Sequence, residues 1–159
     1  MTVGIRFAIG DDVPAIAELI RALARYEKLD HEVTMTEADL TAALFGPRPY
    51  AETLLAEEDG RPVGFALFFH TFSTFLAKAG IYLEDLYVVE SHRGKGVGRT
   101  LLARLAAIAV ERGCGRLEWA VLDWNKDAIT FYERLGAKPN SEWTIYRLTG
   151  DSLSRLAGQ

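Results

Sequence analysis

Three glycines alternate with other residues in a short basic segment, at Gly94, Gly96 and Gly98. Glycine has no Cβ, so backbone N–H groups in such a turn approach a ligand closely. The turn lies between a segment typical of a β-strand and one typical of an amphipathic helix, whose N-terminus adds partial positive charge. Three basic side chains add full charges: Arg93, Lys95 and Arg99. The segment therefore predicts an anion site, and a pyrophosphate is its natural occupant.

Other pyrophosphate-binding patterns fit this turn poorly. A nucleoside triphosphate site favours Gly-x-x-x-x-Gly-Lys-[Ser/Thr], which the sequence lacks. A dinucleotide site requires Gly-x-Gly-x-x-Gly in the first βα turn, but here the third glycine comes one position early and three strands are predicted before the strand that leads into the turn. The turn pattern alone leaves open a solvated loop ahead of an ordinary helix.

Two adjacent carboxylates, Glu84 and Asp85, interrupt an apolar strand-like segment. Carboxylates in such a strand need partners or a function, because burial of an unpaired charge is costly. The apolar residues around the pair fall on opposite parities, with Ile81 and Leu83 before it and Leu86 and Val88 after it. A β-bulge at the carboxylates reconciles the two patterns and exposes backbone groups to a ligand.

The composition bounds the class of protein. The chain has 159 residues, 49% of them hydrophobic and 25% charged, which suits one globular domain with a sizeable core. The formal net charge of −4 disfavours binding to nucleic acid or to an anionic membrane. Cys114 is the single cysteine, and the three histidines have no metal-site spacing. From that spacing we expect a protein without a metal. The sequence has no signal peptide or transmembrane run, so we expect a cytoplasmic location.

Hydrophobic periodicity and turn residues predict the elements that position these groups. Strands are expected at residues 5–8, 53–58, 62–72, 81–89, 116–121 and 143–148. Helices are expected from about residue 14 to 26, and at 36–44, 97–112, 125–135 and 151–156. An Asp-Gly turn at 59–60 predicts a hairpin, residues 10–12 are expected to supply a turn and a helix cap, and Thr36 with Asp39 is expected to form a capping box. Helices between the later strands predict a mixed α/β sheet covered by helices, in a single domain over residues 1–159.

The glycine turn resembles the Arg/Gln-x-x-Gly-x-Gly pyrophosphate loop of the GNAT N-acetyltransferase superfamily. The chain resembles most its spermidine/spermine N-acetyltransferase branch, which includes diamine- and thialysine-acetylating relatives. Matching segments follow in the same order over nearly the whole chain, at residues 24–27, 82–88, 93–98, 123–125 and 131–137. The resemblance implies the GNAT fold, an α+β arrangement with a mixed, mostly antiparallel central sheet flanked by helices.

The same resemblance implies acetyl-CoA as co-substrate and places its contacts. Backbone groups are expected to bond the pantetheine arm at Leu86, Tyr87 and Val88. Pyrophosphate contacts are expected along the turn, at Arg93, Gly94, Lys95, Gly96, Val97, Gly98 and Arg99. Contacts at the start of the following helix are expected at Asn125, Lys126 and Ala128, with Tyr132 near the sulfur.

The resemblance assigns the catalytic roles to Glu84 and Tyr132. An amine with a pKa of about 10 attacks a thioester only after it loses a proton. Glu84 is expected to accept that proton, directly or through a water. A backbone N–H near Leu86 is a candidate donor to the oxyanion, and the phenol of Tyr132 is suited to protonate the leaving thiolate. The acetyl group is expected to move directly, without a covalent enzyme intermediate.

The expected substrate is a small cationic amine, such as a polyamine, a diamine or a thialysine-like amino acid. Its pocket is expected to include Tyr26, Glu27, Glu84, Asp85, Glu118, Trp119, Asp123 and Glu142. The branch has a Glu-Gly-Trp element near its C-terminus, but here Glu142 directly precedes Trp143, which leaves the choice of amine open.

Two alternatives remain open. One is acetylation of an amino acid or of a peptide or protein amine. The other is a non-catalytic acyl-CoA-binding regulatory module, which would need neither Glu84 nor Tyr132. The resemblance also implies a homodimer.

Overall fold

A computed structural model of the chain describes residues 2–159. Backbone contacts divide it into two compact units, the first extending to Ala120 and the second running from Val121 to Gln159. The single domain over residues 1–159 stays a prediction.

The first unit holds five strands and three α-helices. The strands are β1 (Gly4–Phe7), β2 (Glu52–Glu58), β3 (Arg61–Ser73), β4 (Lys78–Val88) and β5 (Leu117–Trp119). The helices are α1 (Val13–Tyr26), α2 (Glu37–Phe45) and α3 (Val97–Glu111). Short 3-10 turns lie at Gly10–Asp12, Asp30–Glu32 and Glu90–His92. The second unit holds α4 (Lys126–Arg134) and α5 (Gly150–Ala157).

The five strands form one mixed sheet in the order β1-β2-β3-β4-β5. Neighbouring strands are antiparallel from β1 to β4, whereas β5 runs parallel to β4. A parallel neighbour needs a long crossover, and α3 lies in the chain between β4 and β5. The mixed, mostly antiparallel α/β fold expected from the sequence is confirmed.

Two local signals in the sequence form the structures that they predicted. Asp59 and Gly60 both have positive φ, at +50° and +74°, as the tight hairpin between β2 and β3 requires. The Thr36 hydroxyl accepts a hydrogen bond from the Asp39 N–H at 3.1 Å, and the Thr36 N–H donates to the Asp39 carboxylate at 2.8 Å. This reciprocal pair starts α2 as a capping box.

The core of the first unit forms where α1 and α3 bury their apolar faces. From α1, Ile16 is fully buried and belongs to one cluster with Leu55 and Phe65 of the sheet. From α3, Leu101 and Leu105 are fully buried. Burial of such side chains contributes roughly 1.5–3 kcal/mol each, so this core fixes β4 and the turn that follows it.

The strand expected at residues 143–148 is wrong, because this segment is irregular in the structure. Its apolar side chains are exposed, with Ile145 at 81% and Tyr146 at 92%. Its composition is typical of a strand, but a strand also requires backbone hydrogen bonds to a neighbour, and the ordered sheet ends at β5.

Two smaller expectations are also corrected. The strand expected at residues 116–121 is shorter, covering only Leu117–Trp119, because its pairing with β4 ends there. Asp12 precedes α1 but makes no side-chain cap to it. Its carboxylate instead accepts two hydrogen bonds from the Arg6 guanidinium, each 2.8 Å long. This bidentate ion pair is stronger than a hydrogen bond to a neutral backbone N–H.

Candidate functional site

The glycine turn joins the end of β4 to the start of α3, as the sequence predicted. Gly94 and Gly96 have φ of +72° and +83°, a conformation that other residues rarely adopt. A Cβ built on either glycine would meet no other heavy atom within 4 Å, so the protein leaves this face of the turn open. The first N–H groups of α3, which have no partner within the helix, lie at this turn. Lys95 and Arg99 are exposed there.

β4 leaves its neighbour β5 before it reaches the glycine turn. Its pairing with β3 continues to Val88, opposite Gly64, whereas its pairing with β5 ends at Leu83, opposite Trp119. Residues 86–88 therefore form a stretch of β4 edge beyond the end of β5. Such an edge offers backbone donors and acceptors to an extended ligand.

A β-bulge separates these two parts of β4. Leu83 lies opposite Phe68 and Asp85 lies opposite Leu67, so Glu84 is the additional residue on β4. The bulge expected from the apolar parity is confirmed at this position. It leaves the Glu84 side chain exposed while Asp85 is half-buried.

The bulge brings three carboxylates into electrostatic contact. Burial, and then the charges of Glu84 and Glu27, raise the pKa of Asp85 from 3.8 to about 7. Burial, and then Glu84, raise the pKa of Glu27, which follows the last residue of α1. Glu84 is thus the common neighbour of both groups. A cluster of this kind stabilises a cation, because like charges held close together are costly without one.

Asp85→Asn is expected to raise the melting temperature above pH 7 by several degrees. The folded-state pKa of Asp85 is raised, so its contribution to the free energy of unfolding is present below about pH 4 and is lost as the pH rises to about 7. Asparagine removes this loss. Thermal unfolding of both proteins between pH 4 and pH 8 measures the difference.

Asp39→Asn is the control of opposite sign. The Thr36 N–H lowers the pKa of Asp39, so this variant is expected to be less stable at pH 7 and to approach the parent as the pH falls. A difference in melting temperature between Asp85→Asn and the parent that stays the same at every pH would contradict the raised pKa of Asp85.

Arg93 turns back from the glycine turn toward α1 and β4. Its Nε donates a hydrogen bond to the Val88 carbonyl at 2.9 Å. Its guanidinium carbon lies 4.7 Å from the centre of the Tyr26 ring and 5.3 Å from the centre of the Tyr87 ring. These are cation–π distances, and one side chain therefore links the turn to the end of α1.

A second side chain, His92, anchors the turn to the β2–β3 hairpin. His92 Nε2 lies 2.8 Å from a carboxylate oxygen of Glu58, and His92 Nδ1 lies 2.8 Å from the Ser91 hydroxyl. The sequence showed only that this histidine lacks the spacing of a metal site. It gave no signal for the partner, since Glu58 lies 34 positions away.

The other expected residues of the first unit lie on β5. Glu118 and Trp119 are half-buried, opposite Tyr82 and Leu83 of β4. Glu118 is close enough to β4 to contribute, after burial and Glu84, to the raised pKa of Tyr82.

The second unit holds the remaining expected residues. The Asn125 side chain caps α4 by accepting a hydrogen bond from the Ala128 N–H at 3.3 Å, and Lys126 is the first residue of that helix. Tyr132 is half-buried, with its ring centre 5.5 Å from that of Phe131. Glu142 is exposed in a turn. The roles of these residues stay predictions.

Among residues 2–159, no group of three or more His, Cys, Asp or Glu side chains is arranged to hold a metal ion. Over the same residues, no helix combines the length and apolar character needed to cross a bilayer.

Residues 14–137 match the model of the acetyltransferase (GNAT) family. The chain is 40% identical to the thialysine N-epsilon-acetyltransferase of Bos taurus, covering 98% of this chain and 97% of the relative. It is 36% identical to an L-ornithine N5-acetyltransferase of Arabidopsis thaliana, covering 96% of this chain and 86% of that protein. Among solved structures, an integron cassette protein of Vibrio cholerae superposes with a TM-score of 0.83 at 30% identity, covering 100% of this chain and 99% of the other.

Proposed function

The chain belongs to the GNAT acetyltransferase family and is an N-acetyltransferase, and we propose that it acetylates a primary amine of a small cationic molecule. Candidate substrates are diamines, polyamines and amino acids with a side-chain amine, such as thialysine or ornithine. The observation that carries the proposal is the cluster of Glu27, Glu84 and Asp85, in which burial and mutual repulsion raise the pKa of two carboxyls. A cationic amine relieves that repulsion.

Acetyl-CoA is the proposed acetyl donor, and the open face of the glycine turn fits its pyrophosphate. Gly94 and Gly96 leave space where a Cβ would otherwise lie, and α3 begins directly after them. The positive end of a helix and exposed N–H groups favour a phosphate at such a place. The free edge at Leu86–Val88 suits the amide groups of the pantetheine arm, which would add to β4 like a further strand.

Gly96→Ala is expected to weaken CoA binding about tenfold. A side chain at the Gly96 φ of +83° lowers the free energy of unfolding by roughly 1–2 kcal/mol. The new Cβ also projects from the open turn, where it hinders the phosphate and so weakens the binding of CoA. Isothermal titration with CoA measures the affinity.

Gly113→Ala is the matched control at the other end of α3. Gly113 also has positive φ, +69°, and its Cβ would also meet nothing within 4 Å. We expect a similar loss of melting temperature in both variants but unchanged CoA affinity in Gly113→Ala. Equal affinities in the two variants would remove the turn from the pyrophosphate site.

Glu84 is the proposed proton acceptor, and its place at the bulge supports the role. The bulge leaves this carboxylate exposed beside two other acidic groups, where a bound ammonium would lie within its reach. Removal of the proton gives the neutral amine, which attacks the thioester carbonyl. A backbone N–H near Leu86 is the proposed donor to the developing oxyanion.

Tyr132 is the proposed acid that protonates the leaving thiolate, and this assignment rests on the resemblance of residues 131–137. The cofactor contacts at Asn125, Lys126 and Ala128 rest on the same resemblance. Asn125 already caps α4, which places its side chain at the helix N-terminus.

Thiol release from acetyl-CoA tests the proposed function. The panel holds ornithine, lysine, thialysine, putrescine, spermidine and spermine, with a lysine-containing peptide and an N-terminal peptide amine for contrast. We expect release above background with small diamines or diamino acids and little with the peptides. A preference for the peptides would favour the protein-directed alternative, and CoA binding without release by any amine would favour a regulatory module.

Among these candidate substrates, the ornithine-acetylating relative favours an amino acid with a side-chain amine over a diamine. Putrescine and ornithine separate these two classes of substrate, because they differ only in the α-carboxylate. A homodimer is proposed on the resemblance alone, and light scattering of the purified protein measures its mass.

A further inference from the structure

Arg93 extends from the glycine turn toward α1 and β4. Its guanidinium lies over the Tyr26 ring at the last turn of α1 and over the Tyr87 ring on β4. Its Nε is bonded to the Val88 carbonyl. One side chain of the turn therefore contacts two further elements, the edge of β4 and the end of α1.

These elements belong to two different proposed binding surfaces. The turn and residues 86–88 are the proposed surface for acetyl-CoA. Tyr26 directly precedes Glu27, one of the three carboxylates proposed for the amine. Arg93 therefore contacts both surfaces.

We propose that Arg93 is a positioning residue that couples binding at the glycine turn to the placement of Tyr26 and Glu27. This inference rests on the proposed function for the identity of the two ligands. It differs from the pyrophosphate contact expected for Arg93, since the guanidinium lies over the two tyrosine rings.

Two physical effects both favour positive coupling between the two ligands. A ligand that orders the turn also orders Arg93 against Tyr26, so the second ligand meets an end of α1 that is already fixed. The Arg93 charge also opposes a cationic amine near Glu27, and a phosphate on the turn offsets that charge. Each ligand is therefore expected to raise the affinity for the other by the same factor.

A double-mutant cycle on CoA affinity tests the link without any amine. Isothermal titration with CoA is carried out on the full chain, on Arg93→Gln, on Tyr26→Leu and on the double variant. We expect Tyr26→Leu to weaken CoA binding about fivefold although Tyr26 lies outside the turn. In the Arg93→Gln background, the same substitution is expected to change the affinity less than twofold.

Lys95→Gln is the matched control for charge. It removes one positive charge from the same turn, at a side chain that is exposed. We expect its effect and that of Tyr26→Leu to multiply independently. Independent effects in the Arg93 cycle as well would overturn the proposal.

The amine side is measured with L-ornithine in the presence and absence of saturating CoA. The parent is expected to bind L-ornithine at least fivefold more tightly with CoA, and Arg93→Gln is expected to lose that difference. Arg93→Lys keeps the charge but not the planar group or the Nε bond, so partial retention is expected. Melting temperatures identify any variant that fails to fold, and Arg93→Lys then replaces Arg93→Gln in the cycle.

The outcomes separate this inference from the proposed function. Thiol release by the parent together with independent effects in the cycle overturns the coupling alone. Absence of thiol release with any amine, together with a coupled Arg93–Tyr26 cycle, overturns the substrate assignment and keeps the link.

Discussion

Tyr132→Phe is expected to lower kcat about a hundredfold and to change CoA affinity little. The substitution removes only the phenolic oxygen, so the ring and its contact with Phe131 are kept. If that oxygen protonates the thiolate as it leaves, its loss raises the barrier of the transfer step without weakening the binding of the nucleotide part. Steady-state kinetics at saturating amine and CoA titration measure the two quantities separately.

Tyr146→Phe is the matched control, since Tyr146 belongs to the same unit and is 92% exposed. It is expected to keep the kcat of the parent. An unchanged kcat in Tyr132→Phe would remove Tyr132 from the acid role. A loss of CoA affinity as large as the loss of kcat would make Tyr132 a binding residue instead.

Glu84→Gln is expected to lower kcat/KM for the amine about a hundredfold at pH 7. The glutamine side chain cannot accept the ammonium proton, so the reaction depends on the small fraction of amine that is already neutral. The deficit is therefore expected to shrink as the pH rises toward the pKa of the amine. Profiles of kcat/KM between pH 6 and pH 10 measure this recovery.

The same substitution has a second consequence at the bulge. Glu84 contributes to the raised pKa of both Asp85 and Glu27, so its neutralisation is expected to bring both values nearer to their ordinary range. Chemical shifts of the two carboxyl groups during a pH titration report this directly.

Glu90→Gln is the control for the loss of one negative charge, because Glu90 is exposed in the turn just after β4. A pH profile of kcat/KM in Glu84→Gln that coincides with the profile of Glu90→Gln would exclude Glu84 as the base. If Asp85→Asn showed the loss instead, Asp85 would take that role.

Patterns within a few residues predicted much of the fold and of the proposed acetyl-donor surface. The alternating glycines predicted the strand–turn–helix, and the change of parity around Glu84 predicted the bulge at its observed place. The capping box at Thr36 and the Asp-Gly hairpin formed as expected. The resemblance to the GNAT family, drawn from ordered motifs, is confirmed by the match over residues 14–137.

The errors in sequence interpretation occurred where a local pattern depends on a partner outside that pattern. Residues 143–148 have the composition of a strand but form none. Asp12 has the side chain of a helix cap but binds Arg6 instead. Propensity describes how a residue fits a conformation, whereas the partner that completes a hydrogen bond is set by the packed chain.

The sequence by itself determined that a glycine turn follows a strand with two carboxylates, because conformational restriction and parity act over neighbouring residues. Only the tertiary structure decided that Arg93 lies between Tyr26 and Tyr87, and that burial beside Glu84 and Glu27 raises the pKa of Asp85 to about 7. Both results depend on α1 packing near β4, which brings together residues that lie more than 50 positions apart in the chain. Distances and desolvation of this kind arise from packing, and no local pattern records them.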